Sequence, residues 1–278
     1  MGWYFRDMAI DRDTLKFLLH LQLSLTGKRV LTIGRLEWYG GKLGIDALNR
    51  KTKSNLVQSK YAEFVFSALG SNRIDSLDYS AYEGASIQHD LNFPVPEELH
   101  NQFDFILDAG SLEHIYNCQE AIRSYMKMCT VGGSLVLVLP TNNQMGHGFY
   151  QFSPEFFYRT LCEDQGFKVV EMLLRTGNGF GKWFEIKDPK VIGARHEIRT
   201  FTRTMLFIHA VKISEKSRYI PVIQSDYESA TDMAKISKWG QRYLSSPPVI
   251  QFWIRQLVLK PRYQILSMMR MKRIHLKY

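Results

Sequence analysis

Cysteine is scarce in this 278-residue chain, which holds three: Cys118, Cys129 and Cys162. They form no Cys-x-x-Cys pair and lie far from any histidine at ligand spacing. The sequence therefore predicts neither a disulfide framework nor a zinc site. We expect reduced, mostly buried thiols and no bound metal.

Long apolar runs are also lacking. Residues 1–10 show no basic region followed by an apolar stretch, so they do not resemble a signal peptide. The longest apolar runs fall well short of the roughly 20 residues that a transmembrane helix needs. We therefore expect a cytoplasmic protein, whose contact with the inner membrane surface, if any, is peripheral.

Acidic residues are missing from the end of the chain, since none follows Asp232 whereas ten lysines and arginines do. The net charge of +9 arises there, because the first 232 residues hold 26 basic and 27 acidic residues. We expect a basic helical extension over 216–278, which lies on an anionic membrane surface or docks on the domain or on a second subunit. The body offers no basic face, so no nucleic-acid partner is expected.

Strand-like and helix-like segments alternate through the rest of the chain. Strands are predicted over 29–33, 73–78, around Ile87, and over 103–108, 134–140, 167–174 and 203–213. Helices are predicted over 11–26 with Asp13 as the cap, over 56–69 and 118–129, and from Ser153 onward. The alternation predicts an α/β fold, a Rossmann-like mostly parallel seven-stranded sheet with helices on both faces. The domain spans 1–215, with its core over 28–212.

Acidic residues follow three of these strands, at the edge where parallel sheets bind ligands. Asp78 is placed to accept both ribose hydroxyls of a nucleoside, and Asp90, before Leu91, to accept from an adenine amine. Asp108, before Ala109–Gly110, would form the floor of the pocket. The alternatives are a turn residue at Asp78, a cap or turn at Asp90 and a cap at Asp108.

The first predicted strand ends at Gly34, and the next helix is expected about twenty residues later. A dinucleotide needs a helix N-terminus directly behind the glycine loop to hold its pyrophosphate. The predicted spacing therefore argues against a pyrophosphate cofactor.

Two histidines follow the strand ends. His114 comes in the turn after Asp108, and His147 lies between two glycines in a polar loop after the strand 134–140. Either side chain would suit a general base or a substrate contact. The alternatives are a hydrogen-bonded structural histidine at 114 and a plain connecting loop around 147.

Several of these segments occur together in a known family. The sequence Phe-Asp-Phe-Ile-Leu-Asp-Ala-Gly-Ser-Leu-Glu-His over 103–114 resembles the fourth motif of class I S-adenosylmethionine-dependent methyltransferases. The segment 131–140 resembles the glycine turn and fifth strand that follow that motif. Segments 79–92 and 146–155 resemble a bacterial subgroup of methyltransferase-like proteins that often accompany surface-polysaccharide or other glycan biosynthesis. The resemblance covers residues 28–212.

The resemblance implies methyl transfer from S-adenosylmethionine to a small-molecule, sugar or glycan-precursor acceptor. The strand-end argument and the resemblance together give Gly34, Glu37, Asp78, Asp90, Leu91, Asp108, Ala109 and Gly110 as the candidates for binding the cofactor. The candidates for catalysis are Asp108, His114 and His147.

The chain departs from the family in its first motif, acid-x-Gly-x-Gly-x-Gly, which reads Thr-Ile-Gly-Arg-Leu-Glu over 32–37. Leu36 replaces a glycine and would prevent the closest backbone approach. Glu37 or Gly40–Gly41 would have to compensate. A second hypothesis is therefore a non-catalytic Rossmann-like module that binds a partner or another nucleoside ligand, and a nicotinamide oxidoreductase comes third.

Overall fold

The computed structural model describes residues 9–177, 181–216, 219–228, 273, 274 and 276. The strands are β1 (Ala9–Ile10), β2 (Arg29–Ile33), β3 (Glu37–Trp38), β4 (Arg73–Asp78), β5 (Ile87–Gln88), β6 (Phe103–Ala109), β7 (Cys129–Pro140), β8 (Phe167–Thr176), β9 (Trp183–Glu185), β10 (Thr204–Lys212) and β11 (Arg273–Ile274). The helices are α1 (Arg12–His20), α2 (Gly41–Thr52), α3 (Glu63–Ala68), α4 (Cys118–Met128), α5 (Pro154–Thr160), α6 (Pro189–Ile192) and α7 (Ser225–Glu228).

The main sheet has the strand order β11-β9-β8-β10-β7-β6-β2-β4-β5. Strands β5, β4, β2, β6 and β7 pair in parallel, whereas β10 runs antiparallel between β7 and β8. The predicted seven-stranded, mostly parallel Rossmann-like sheet is therefore confirmed. Two short strands, β9 and β11, extend it at one edge.

Helices cover both faces of the sheet, because its central strands are apolar on both sides. On β7, Leu135 and Leu137 pack in one core cluster, with residues of α4 and α5, whereas Val136 and Val138 pack in the other, with α1, α2 and α3. This alternation follows from the two-residue period of a strand. It explains why residues 135–140 form a continuous apolar run.

Two predicted boundaries are wrong in detail. Helix α1 spans Arg12–His20 rather than 11–26, and its cap is Asp11, which accepts the Thr14 N–H at 2.8 Å, rather than Asp13. Strand β7 already begins at Cys129, so Gly132–Gly133 lie inside it. The register of β6 with β7 shifts there, so the glycines lie at an irregularity within the strand and not in a turn before it.

The predicted loop and helix after Gly34 are also wrong. Helix α2 begins at Gly41, seven residues after that glycine, and only 63–68 of the predicted helix 56–69 is α-helical. The glycines at 40 and 44 pack on the Trp38 ring, where an added Cβ would lie 2.2 and 2.9 Å from ring carbons. The spacing argument against a pyrophosphate ligand therefore no longer holds.

Most of the basic segment 216–278 lies outside the described residues, and so does its predicted contact with a membrane or a subunit. Where it is described, the helical expectation is wrong at Arg273–Ile274, which pair with β9 as a strand. Leu276 is 6% exposed and packs in the second core cluster. Among the described helices, none has the length and apolar character needed to cross a bilayer.

Candidate active site

The carboxyl edge of the sheet brings the predicted residues of three strands side by side. Ile33, the last residue of β2, pairs with Leu77 on one side and with Asp108 on the other. Gly34 leaves the sheet next to Asp78, and its N–H donates to the Leu77 carbonyl at 2.7 Å. Because neighbouring strands lie about 4.8 Å apart, the chains after β4 and β6 flank this glycine with a gap of roughly 10 Å, which a nucleoside can span.

The turn after β2 is built around one glycine. Gly34 has a φ of +75°, which glycine adopts without a Cβ clash. Thr32, at the position of the family's acidic residue, donates its hydroxyl to the Gly34 carbonyl at 2.8 Å. Leu36 is 2% exposed and packs in the second core cluster. Its side chain therefore belongs to the core and does not lie on the surface of the turn.

Arg35 ties this turn to the loop after β4. Its Nε donates to Glu63 Oε1 at 2.8 Å, and its Nη1 donates to the Glu83 carbonyl at 2.7 Å. The guanidinium carbon lies 3.9 Å from the centre of the Tyr61 ring, a cation–π distance. These contacts hold the glycine turn and the loop beyond Asp78 at a fixed separation.

Glu37 lies apart from the main sheet. It belongs to β3, which pairs with β1 in a separate two-stranded parallel sheet. Its carboxylate accepts the Tyr39 hydroxyl and lies 3.5 Å from the Lys60 ammonium. The carboxylate thus has local partners, and nothing in this geometry supports Glu37 as a substitute for the lost glycine.

Asp78 and Asp90 each use one carboxylate oxygen in a local turn. Asp78 Oδ1 accepts the Ser80 N–H at 3.0 Å, and Asp90 Oδ1 accepts the Asn92 N–H and side-chain amide at 2.9 and 2.8 Å. Within the described part of the chain, neither Oδ2 accepts a hydrogen bond. Leu91 is 6% exposed and packs in the first core cluster. Asp78 and Asp90 can therefore each stabilise a turn through Oδ1 and still accept a hydrogen bond from a ligand through Oδ2.

Asp108 is fully buried and faces inward. Its carboxylate accepts the N–H groups of Ser111 and Leu112 at 2.7 and 3.0 Å and the Tyr125 hydroxyl at 3.0 Å. Burial, and then the charge of Glu113, raise the pKa of Asp108 to about 7. The geometry is that of the predicted cap, and it holds the turn that contains Ala109–Gly110, with Gly110 at a φ of +102°.

The turn after β6 and the loop after β7 are bonded directly to each other. The Glu113 carbonyl accepts the N–H groups of Phe149 and Tyr150 at 2.7 and 3.3 Å. Gly148 has a φ of +73°, and a Cβ there would lie 2.7 Å from the same carbonyl oxygen. Glycine is therefore required at 148 for the loop to approach this closely, and the approach brings His147 to His114.

Glu113, His114 and His147 form one cluster, and Glu113 is the member that sequence reasoning missed. The two imidazole rings meet edge to face, with centroids 5.1 Å apart, and His147 Nε2 lies 3.4 Å from Glu113 Oε1. One ligand-type atom from each of the three residues lies within 4.8 Å of the others. The only sequence signal was the position of Glu113 beside a candidate histidine, and the sequence does not show its burial.

The loop after β7 is braced by the insertion between β8 and β10. Asn143 donates to the carbonyls of Thr200 and Thr202 at 2.6 and 3.0 Å, and the buried Gln144 donates to the Thr204 carbonyl at 2.7 Å. The insertion therefore supports the loop that carries His147.

The same insertion lines an open cavity of about 340 Å³ together with α5 and residues 222–224. Its polar lining includes Glu155, Arg159, Arg195 and His196. Arg159 pairs with Glu155, at 3.2 Å, and with Asp188. None of the residues predicted to bind cofactor or act in catalysis, all of which the structure describes, lines this cavity.

Comparison with family models and with curated proteins gives no match. Solved structures with a similar fold include an S-adenosylmethionine dependent methyltransferase from Mesorhizobium loti, 13% identical, with 72% of this chain and 97% of that chain covered and a TM-score of 0.41. The 1,6-didemethyltoxoflavin-N1-methyltransferase from Burkholderia thailandensis is 14% identical, with 73% and 78% covered and a TM-score of 0.40. The branched-chain polyamine synthase from Thermus thermophilus is 15% identical, with 79% and 63% covered and a TM-score of 0.41. The likeness is general, and the fold assignment rests on this chain's own sheet.

Proposed function

We propose that the chain is an S-adenosylmethionine-dependent methyltransferase that acts on a small-molecule, sugar or glycan-precursor acceptor. The observation that carries the proposal is the register at the carboxyl edge, which sets Gly34 between the chain at Asp78 and the turn after Asp108. That edge is where open α/β sheets bind ligands. The resemblance of segments within 28–212 to methyltransferase motifs is our reason for proposing S-adenosylmethionine as the ligand.

The residues at this edge fit the cofactor in chemistry. Asp78 Oδ2 is available to accept the ribose hydroxyls, and Asp90 Oδ2 to accept the adenine amine. Gly34 lets a ligand approach the backbone, since Leu36 is buried in the core and does not obstruct it. When bound, the cofactor supplies an electrophilic methyl group on a sulfonium centre.

The chain's own contribution to the reaction is then alignment and proton transfer. Methyl transfer needs the acceptor atom in line with the methyl group, and a base only where that atom must lose a proton. Within the cluster, Glu113 is buried, whereas His147 is partly accessible to solvent and His114 is exposed. Their imidazoles are our candidates for holding the acceptor and receiving its proton, whereas Asp108 holds the turn from inside.

Exposed aromatic rings beside the histidines support an acceptor with an apolar face. Tyr116 and Phe149 are 75% and 67% exposed and meet edge to face at 6.0 Å. Tyr150 fixes this pair by donating its hydroxyl to the Tyr116 carbonyl at 2.7 Å. Large exposed apolar groups beside polar ones are typical of a binding surface. A sugar ring or a planar small molecule presents such a face.

A calorimetric titration with S-adenosylmethionine and S-adenosylhomocysteine tests the cofactor. Loss of a charge-assisted hydrogen-bond acceptor in Asp78→Ala should weaken binding by roughly 10- to 100-fold, since such bonds contribute about 1.5–3 kcal/mol. Asp75→Ala, on the same strand but away from the carboxyl edge, is the matched control and should bind normally. Absence of heat with either ligand from a folded sample would refute the proposal.

The second candidate is a non-catalytic module that binds another nucleoside ligand. It is favoured by Arg35, which closes the degraded glycine turn against Glu63 and Glu83, and by the start of α2 at Gly41. Titration with nicotinamide adenine dinucleotide separates the two candidates. Binding of this ligand, with none of S-adenosylhomocysteine, would favour the second.

A further inference from the structure

We propose that Glu113, His114 and His147 bind a divalent transition-metal ion. The three side chains come from two segments, the turn after β6 and the loop after β7, and their ligand-type atoms lie within 4.8 Å of one another. Two imidazoles and one carboxylate are a ligand set that suits Zn²⁺, Mn²⁺ or Co²⁺. The sequence alone predicts no metal, because the donors are not at a recognisable spacing.

The environment of Glu113 is the second, independent observation. The side chain is 0% exposed, and in the described part of the chain neither carboxylate oxygen accepts a hydrogen bond. A buried carboxylate needs compensation by hydrogen bonds, a paired charge or a metal. His147 Nε2 lies 3.4 Å from Oε1, which is long for a hydrogen bond to a charged group.

The distance of 3.4 Å between His147 Nε2 and Glu113 Oε1 is the one expected for two ligand atoms of the same ion. Metal–nitrogen and metal–oxygen distances of about 2.0–2.1 Å at a tetrahedral centre put two ligand atoms roughly 3.3–3.4 Å apart. The ligand atom of His114 lies within 4.8 Å of the other two, so our proposal requires its exposed side chain to move closer when the ion binds.

Three protein ligands leave at least one coordination position open, as in catalytic rather than structural metal sites. The exposure of His114 and the partial exposure of His147 place the open side toward solvent. If the proposed methyltransferase function holds, the acceptor would be a hydroxyl compound whose oxygen binds the ion. The ion lowers the pKa of that hydroxyl. With both imidazoles bound to the ion, the hydroxyl proton would pass to solvent water instead of to a histidine. The oxygen would then form the new bond to the methyl carbon, and the carbon–sulfur bond would break with its electron pair on sulfur.

The test uses the full chain after treatment with a chelator, titrated with Zn²⁺ and separately with Co²⁺, whose visible absorption reports its coordination geometry. We expect one equivalent to bind to the wild type. Removing a residue that only hydrogen-bonds a metal ligand lowers metal affinity by roughly 10- to 100-fold. Since His147→Gln and Glu113→Gln remove ligands themselves, we expect each to lower the affinity by at least that factor. His147 lies in a surface loop, so its variant keeps the test valid if Glu113→Gln does not fold.

The matched control is His20→Ala, because His20 also pairs with a glutamate, with Nε2 at 3.0 Å from Glu171. It should retain the full metal affinity. No saturable binding by the wild type, or equal loss in the His20 and His147 variants, overturns the metal site and leaves a histidine–carboxylate pair.

The metal site and the methyltransferase proposal can fail separately. Titration of Asp78→Ala with metal tests the metal site in a variant impaired in cofactor binding. Titration of His147→Gln with S-adenosylhomocysteine tests the methyltransferase proposal in a variant impaired in metal binding. Metal binding without cofactor binding upholds the site and refutes the methyltransferase, and the reverse result refutes the site alone.

Discussion

The close approach at Gly148 gives a prediction whose size follows from the structure. In Gly148→Ala, the new Cβ would lie 2.7 Å from the Glu113 carbonyl oxygen and 3.0 Å from its carbonyl carbon and Cγ. The neighbouring atoms are backbone and a buried side chain, so they cannot move aside cheaply. The loop must shift outward, and the hydrogen bonds from Phe149 and Tyr150 to Glu113 are lost or lengthened.

The matched control is Gly27→Ala. Gly27 has a φ of +70°, against +73° at Gly148, but a Cβ at position 27 meets nothing within 4 Å. Both variants carry the left-handed backbone cost of roughly 1–2 kcal/mol. Only Gly148→Ala loses two hydrogen bonds as well, at about 1 kcal/mol each. We expect the free energy of unfolding to fall by about 2 kcal/mol more in Gly148→Ala than in the control.

Urea unfolding followed by tryptophan fluorescence measures this difference. Metal affinity should fall in Gly148→Ala as well, since His147 moves with the loop, and should stay unchanged in Gly27→Ala. Equal destabilisation of the two variants would show that the loop does not pack on Glu113, and the geometry of the cluster would then be wrong.

Three further predictions concern the core and the cofactor edge. His209 is buried beside Ser134, and burial lowers its pKa from 6.5 to about 4. As pH falls, the imidazole of residue 209 is protonated in the unfolded chain near pH 6.5 but in the folded chain only near pH 4. The contribution of the neutral buried imidazole to the free energy of unfolding is therefore fully present above pH 6.5 and is lost as pH falls through 4. The wild type should therefore lose about 3 kcal/mol more than His209→Gln between pH 7 and 4 in urea titrations. Asp78→Ala should strongly reduce thermal stabilisation by S-adenosylhomocysteine and lower the melting temperature of the free protein only slightly, because it loses a single local hydrogen bond from Ser80; a large fall in that temperature would contradict its place at the ligand edge. Leu36→Ala should lower the free energy of unfolding by about 2–5 kcal/mol and leave cofactor affinity unchanged; tighter cofactor binding would show that Leu36 does obstruct the turn.

The sheet could be predicted from the sequence because its signal is local. The run 135–140 is apolar at every position and the strand is buried on both faces, so period and burial agree. Gly34 and the acidic residues after the strands could also be placed from the sequence, because the carboxyl ends of parallel strands lie at the same edge of the sheet. Helix α2 could not be predicted, because glycines stand at 40, 41 and 44 around its start, and those at 40 and 44 pack against Trp38 only in the folded chain.

The cluster of Glu113, His114 and His147 was decided by the tertiary structure alone. Sequence placed the two histidines at the ends of neighbouring strands, but it contains no signal that position 148 contacts the backbone of 113. That contact depends on the register of β6 against β7 and on the bracing of the loop by residues 200–204. Whether a carboxylate is solvated or buried depends on which distant segments cover it, and for Glu113 the covering segment lies more than thirty residues along the chain.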